Sequence, residues 1–313
     1  MSRAFVFPGQ GSQAVGMGRD LAGAFAEARQ VFQEVDEALS QNLSKLMFEG
    51  PEDTLTLTEN AQPALMAVSV AVVRVLQGQG GMDLTKASGF VAGHSLGEYS
   101  ALAAAGTFSL ADTARLLKLR GQSMQRAVPV GVGAMAALLG AEYAQAREIA
   151  SLAAEDEVCE AANDNGAGQV VVSGHKAAVE RAMKIAAGKG IKRAVLLPVS
   201  APFHCALMRP AAEAMAEALS KVEMEAPAVP LVANVIASQV TDPEEIRDLL
   251  VRQVTGTVRW RESVLYMKEQ GVLQLVELGA GKVLSGLARR IDKDLSGTAV
   301  GTPADIEAFL AAL

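Results

Sequence analysis

The sequence predicts an α/β fold: a large domain of short buried strands alternating with helices, interrupted by a smaller βαββαβ unit. Three observations lead there. Apolar runs at Arg3–Phe7 and Gly89–Ala92 each pass through a glycine-rich loop into a helical pattern, the mark of strands that alternate with helices. Residues 128–199 follow their own order of strand, helix, strand, strand, helix and strand, the ferredoxin-like arrangement. The 313 residues, 50% hydrophobic and 20% charged, suffice for one large or two smaller packed domains and exclude a disordered chain.

Taken in order, Arg3 to Phe7 is a buried strand, and Pro8-Gly9-Gln10-Gly11-Ser12-Gln13 follows as a loop. Helical patterns then dominate to Gln79, with an apolar stretch from Pro63 to Leu76. The second strand runs into Gly93-His94-Ser95-Leu96-Gly97 and an alanine-rich helix from Glu98; another helix covers Leu110 to Ala127. In the inserted unit Ala134–Leu139, Val158–Ala162, Gln169–Ser173 and Arg193–Pro198 read as strands. Ala141–Ala154 and Ala177–Ala187 read as helices, and Asn163-Asp164-Asn165-Gly166 as a turn. The expected domains are therefore 1–127 with 200–313, and 128–199 inserted between them. The large domain resumes with a helix at Ala206–Lys221, a strand at Leu231–Asn234 and helices at Pro243–Val254 and Trp260–Gln270. A strand at Val272–Glu277 leads through Gly279-Ala280-Gly281-Lys282 into a helix to Ile291, and a last helix fills Pro303–Leu313.

Composition removes several function classes. With 28 basic against 35 acidic residues the net charge is −7, which argues against a nucleic-acid partner. No uninterrupted apolar run reaches about 18 residues, so no membrane span is expected. The start carries no charged segment followed by a long apolar stretch, so no secretory signal is expected. Two cysteines, Cys159 and Cys205, fit a reducing compartment and a cytoplasmic location. Three histidines and no CxxC pair leave a zinc site few ligands.

Gly93-His94-Ser95-Leu96-Gly97 matches the G-x-S-x-G nucleophile elbow, with an apolar strand before it and a helix former after it. Such a turn exposes the serine oxygen and sets a helix N-terminus near a developing oxyanion. The alternative is a plain strand-to-helix turn with Ser95 as a cap. A serine of ordinary acidity needs a base, and only His94, His175 and His204 are available. His94 adjoins Ser95, where neighbouring side chains diverge, and His175 begins a helix as a surface cap. That leaves His204, where the chain re-enters the large domain. Arg120 is either a solvated helix arginine or a fork aimed at a carboxylate. Gln10 is an oxyanion donor or a turn residue, Gln253 a histidine partner or a helix end, and Asn163 a ligand contact or part of an ordinary turn. Gly9-Gln10-Gly11 and Gly279-Ala280-Gly281-Lys282 fit no phosphate-loop pattern.

Several motifs stand in a fixed order: Phe7-Pro8-Gly9-Gln10-Gly11-Ser12-Gln13, Gly93-His94-Ser95-Leu96-Gly97-Glu98-Tyr99, Arg120-Gly121 with Met124-Gln125, Pro202-Phe203-His204, and Glu277-Leu278-Gly279-Ala280-Gly281-Lys282. In this the chain resembles, from Phe5 to about Arg290, the acyltransferase family of the bacterial malonyl-CoA:acyl carrier protein transacylases and of polyketide synthase acyltransferase domains. The resemblance implies a hydrolase-like α/β domain with a parallel sheet and a ferredoxin-like insert. It implies that Ser95 takes a malonyl group from coenzyme A and passes it to the phosphopantetheine thiol of acyl carrier protein, for fatty acid synthesis. His204 would be the general base and acid, oriented by the main-chain carbonyl of Gln253, and the N–H groups of Gln10 and Leu96 the oxyanion hole. Arg120 would bind the malonyl carboxylate, Phe203 would occupy space an added methyl needs, and Met124, His94 and Asn163 would complete the substrate pocket. No cofactor is implied beyond the coenzyme A thioester as substrate. An acidic carrier would dock on a local basic patch, either Lys189, Lys192 and Arg193 or Lys282, Arg289 and Arg290. Asp164 would disfavour an anionic substrate unless it points to solvent. A serine hydrolase or thioesterase, and an acyltransferase of other acyl specificity, remain the alternatives.

Overall fold

The computed structural model describes residues 3–312. Among the described residues, ten strands form two sheets. The larger sheet has the order β10-β9-β1-β2-β7-β8, from β1 (Arg3–Phe7), β2 (Phe90–Gly93), β7 (Leu231–Ala233), β8 (Ser238–Val240), β9 (Gln274–Leu278) and β10 (Ser296–Val300). All its pairings are parallel except β7 with β8. Its central strands are apolar on both faces because both are covered. Phe5 and Phe7 face one core, with the helix Thr58–Gly80, while Ala4 and Val6 face another built around Trp260. That alternation is the period-two consequence of a pleated strand.

The helix Thr58–Gly80 is long and apolar enough by composition to cross a membrane, but 83% of its most apolar window is buried inside this chain. The helical pattern and the apolar stretch from Pro63 to Leu76 lie within it, but polar residues spaced through it keep any uninterrupted apolar run short of a span. It begins five residues before the apolar stretch and carries Pro63 in its second turn.

The smaller sheet is antiparallel, in the order β4-β5-β3-β6, from β3 (Gly133–Leu139), β4 (Cys159–Asp164), β5 (Gln169–His175) and β6 (Arg193–Leu196). The helices Tyr143–Ala154 and Lys176–Gly188 cover one face, over a core that includes Leu138, Ile149, Val172 and Val179. From the other face Met135 and Val171 turn toward the large domain.

Some expectations need correction. β8 and β10 escaped the sequence pattern, since Ser-Gln-Val and Ser-Gly-Thr-Ala-Val are short and weakly apolar. The helix expected over Ala206–Lys221 is a 3₁₀ turn, Ala206–Met208, and then an α-helix, Arg209–Leu219, with Pro210 in its first turn. The helix expected from Ala141 starts at Tyr143. The last helix is Pro303–Ala311, and Leu313, its expected end, lies outside the described residues. His175 holds the N-cap position of Lys176–Gly188, but its side chain does not cap the helix: its Nδ1 accepts the Val158 N–H at 2.9 Å.

Candidate active site

The elbow is built by close approach. A Cβ on Gly93 would lie 1.9 Å from the Gly97 carbonyl, and one on Gly97 would lie 2.3 Å from the Phe7 carbonyl, so both must be glycine for β2 to turn this sharply into the helix Gly97–Ala104. Ser95 occupies the bend at φ +53°, a left-handed conformation that a non-glycine residue holds only under constraint. The constraint is Asn234, at the end of β7. Its Oδ1 accepts the Ser95 N–H at 2.8 Å and its Nδ2 donates to the Gly93 carbonyl at 2.7 Å.

Ser95 Oγ lies 2.8 Å from His204 Nε2. His204 is itself held at φ +58°, and its Nδ1 lies 2.9 Å from the Gln253 main-chain carbonyl. A carbonyl only accepts, so Nδ1 carries the proton and Nε2 is left as the acceptor facing the serine. Burial and the Arg120 charge push the imidazole down to about 3, so the ring is neutral.

Arg120 does not lie on a solvated helix face: it is 1% exposed. Its Nη2 donates to Ser95 Oγ at 3.1 Å and to Gln253 Oε1 at 2.8 Å, and its Nη1 donates to Gln62 Oε1 at 2.8 Å. Its Nε, also buried, meets no acceptor. The guanidinium centre lies 5.8 Å from the centre of the Tyr99 ring. Helix packing places it there: a Cβ on Gly121 would come 2.5 Å from Glu59 Cα, so the helix Leu110–Ala127 sits directly against the start of Thr58–Gly80.

These groups open on one cleft of about 520 Å³. Gln10, His94, Ser95, Leu96, Arg120, Met124, Asn163, Phe203 and His204 all line it, while Gln253 lies beneath. The N–H groups of Gln10 and Leu96 have no protein acceptor among the described residues. His94 and Ser95 diverge: His94 Nε2 meets Asn165 Oδ1 at 2.8 Å, and burial lowers the basicity of its ring. Asp164 is neither in the channel nor in solvent. It is buried in an ion pair with Arg261 Nε at 2.9 Å, so its charge is compensated away from the cleft. Among the described residues, no three His, Cys, Asp or Glu side chains are grouped as metal ligands would be.

Three supports escaped the sequence reading. Asn234 pins the elbow. Gln253 contributes its side chain as well as its carbonyl, donating to the Ser95 carbonyl at 2.9 Å and to Glu98 Oε2 at 3.2 Å. Glu98, wholly buried, also accepts the Asn234 N–H at 2.8 Å, and burial raises its carboxyl to about 7. Its place directly after the G-x-S-x-G motif was the only available signal.

The chain is similar to known proteins over nearly its whole length. The family model for the acyl transferase domain matches residues 4–296. The malonyl CoA-acyl carrier protein transacylase of Escherichia coli K12 is 49% identical over 307 residues, covering 98% of each chain. Among solved structures, an acyl-carrier-protein-S-malonyltransferase from Bartonella henselae superposes with a TM-score of 0.97 at 60% identity, covering 100% of this chain and 99% of that one. A malonyl-transacylase solved in complex with a type II polyketide synthase acyl carrier protein superposes at 0.96 with 44% identity, covering 100% of both chains.

Proposed function

The chain belongs to the acyl transferase domain family and, within it, to the malonyl-CoA–acyl carrier protein transacylases, and we propose that it works through a malonyl ester on Ser95. It moves a malonyl group from coenzyme A to acyl carrier protein. The observation that carries the mechanism is convergence on one atom: Ser95 Oγ meets the acceptor nitrogen of His204 at 2.8 Å and the Arg120 guanidinium at 3.1 Å.

In this mechanism His204 Nε2 takes the serine proton as Oγ attacks the malonyl thioester carbonyl. The carbonyl oxygen becomes an anion held by the Gln10 and Leu96 N–H groups, each such donor being worth about 3–4 kcal/mol to the transition state. His204 then gives its proton to the departing coenzyme A sulfur, leaving the ester. The carrier thiol enters, His204 takes its proton, the thiolate attacks the ester, and the proton returns to Ser95. One thioester is exchanged for another, so coenzyme A enters as part of the substrate and the residues here account for each proton.

Malonyl differs from acetyl by a carboxylate, and an unpaired anion in this cleft would cost several kcal/mol. Arg120, already buried and short of one acceptor, is the compensating fork. Phe203, Met124, His94 and Asn163 shape the remaining walls. We further place the protein in the cytoplasm, where Cys159 and Cys205, both buried and unpaired, stay reduced, and assign its product to fatty acid synthesis.

Intact-protein mass spectrometry after incubation with malonyl-CoA tests the proposal. A transferase stalls with one malonyl group on the Ser95 peptide until carrier is added. Steady release of malonate without an adduct would identify a hydrolase instead.

A further inference from the structure

A second polar line leaves Arg120 on the side away from Gln253. Gln62 Oε1 accepts the Arg120 Nη1 proton at 2.8 Å, Gln62 Nε2 donates to Thr58 Oγ1 at 2.8 Å, and Thr58 Oγ1 donates to Gln10 Oε1 at 2.8 Å. Thr58 and Gln62 stand one turn apart on one helix and are each about 1% exposed. The directions of the first two bonds are forced. A guanidinium has only donors, so Gln62 must turn its carbonyl toward Arg120 and its amide toward Thr58. The Thr58 hydroxyl accepts that amide and donates its own hydrogen to Gln10 Oε1. The remaining contact of the amide, Met124 Sδ at 3.8 Å, is a weak acceptor.

We propose that Gln62 and Thr58 are positioning residues for substrate choice: a one-way hydrogen-bond chain holds the Arg120 fork ready for a carboxylate and ties it to the loop that carries the Gln10 oxyanion donor. The inference rests on the reading of Arg120 as the malonyl clamp. Without the Thr58 hydroxyl, the Gln62 amide N–H loses its acceptor and the side chain loses its anchor on the helix. An unanchored Gln62 no longer fixes Arg120 Nη1, and the fork loses its set position. An acyl group with no distal carboxylate meets the fork only through its contact with Ser95 Oγ and is less affected by the change.

The experiment measures Ser95 acylation rates by rapid quench and intact-mass detection, with malonyl-CoA and acetyl-CoA, on the full chain. Thr58→Val lowers the malonyl-to-acetyl rate ratio about tenfold, the weight of one hydrogen bond. Thr58→Ser, which keeps the hydroxyl, retains the parent ratio. Gln62→Met, similar in bulk but with no comparable acceptor for Arg120, loses the ratio at least as far, which decides the matter even where Thr58→Val does not fold. An unchanged ratio in Gln62→Met or in folded Thr58→Val overturns the inference, as does a Thr58→Ser loss equal to that of Thr58→Val. A parent chain that forms no malonyl adduct on Ser95 overturns the underlying mechanism instead.

Discussion

Ser95 and His204 both sit in the left-handed region, at φ +53° and +58°. Such residues cost about 1–3 kcal/mol each and persist where surroundings over-determine them. Here Asn234 and the Gln253 carbonyl supply that determination. His204→Ala lowers Ser95 acylation about 10²–10⁴-fold in single-turnover measurements, the share of a positioned general base. The pH dependence has a definite sign. Burial and Arg120 push the imidazole down to about 3, so the inactive protonated ring forms only in strong acid. The kcat/KM for malonyl-CoA therefore shows no inflection near the ordinary imidazole value of about 6.5. A titration at that value would show a solvated histidine. Arg120→Ala lowers kcat/KM about 10–100-fold for malonyl-CoA and far less for acetyl-CoA, as loss of charge-assisted bonds requires. Much at this scale was legible, because the elbow and Pro202-Phe203-His204 are local patterns. Glu98, Asn234, Gln62 and Thr58 were not. Their roles come from partners 136 positions away in Asn234–Glu98 and 58 in Arg120–Gln62, and spacing along the chain carries no trace of such pairs.

At the scale of elements, two close approaches fix the site: strand against helix at Gly93 and Gly97, and helix against helix at Gly121. The second is testable apart from chemistry. Gly121→Ala drives a methyl into the backbone of Glu59, 2.5 Å away, and overpacking of this kind costs about 1–3 kcal/mol. Thermal unfolding then shows a lower Tm, with malonyl acylation impaired as Arg120 shifts against Thr58. The helix Leu110–Ala127 and the alternation in the smaller unit were readable because their periods are long and regular. β10 was not. Gly297 in it would place a Cβ 2.0 Å from the Ser285 carbonyl, so its sequence answers to the helix packed on it and lacks a strand's usual β-branched run.

Across the whole molecule, the smaller sheet is stitched along the cleft to the segment around Val258 and to the loop after β2. The Asp164 N–H donates to the Val258 carbonyl and the Val258 N–H to the Ala162 carbonyl, both at 2.9 Å, while Arg261 closes on Asp164 and His94 on Asn165. The wall that carries Asn163 is thereby fixed to the segment just after Gln253. For carrier docking the two basic clusters are no longer equivalent. Lys189 is engaged by Glu148 at 2.7 Å. Lys282 follows a loop that touches Ser12, on the strand-to-helix connection that also bears Gln10 at the cleft. Lys282→Glu raises the KM for acyl carrier protein and leaves that for malonyl-CoA unchanged in steady-state kinetics. Equal changes in both would place docking elsewhere.

The pairing of one serine with one imidazole at the bottom of a single cleft has a consequence for metabolic flow. In the proposed mechanism, arriving and departing acyl groups meet the same two atoms, and neither direction is favoured by the machinery. Such an enzyme levels two reservoirs of activated acid against each other. Whichever neighbouring reaction drains one reservoir sets the current.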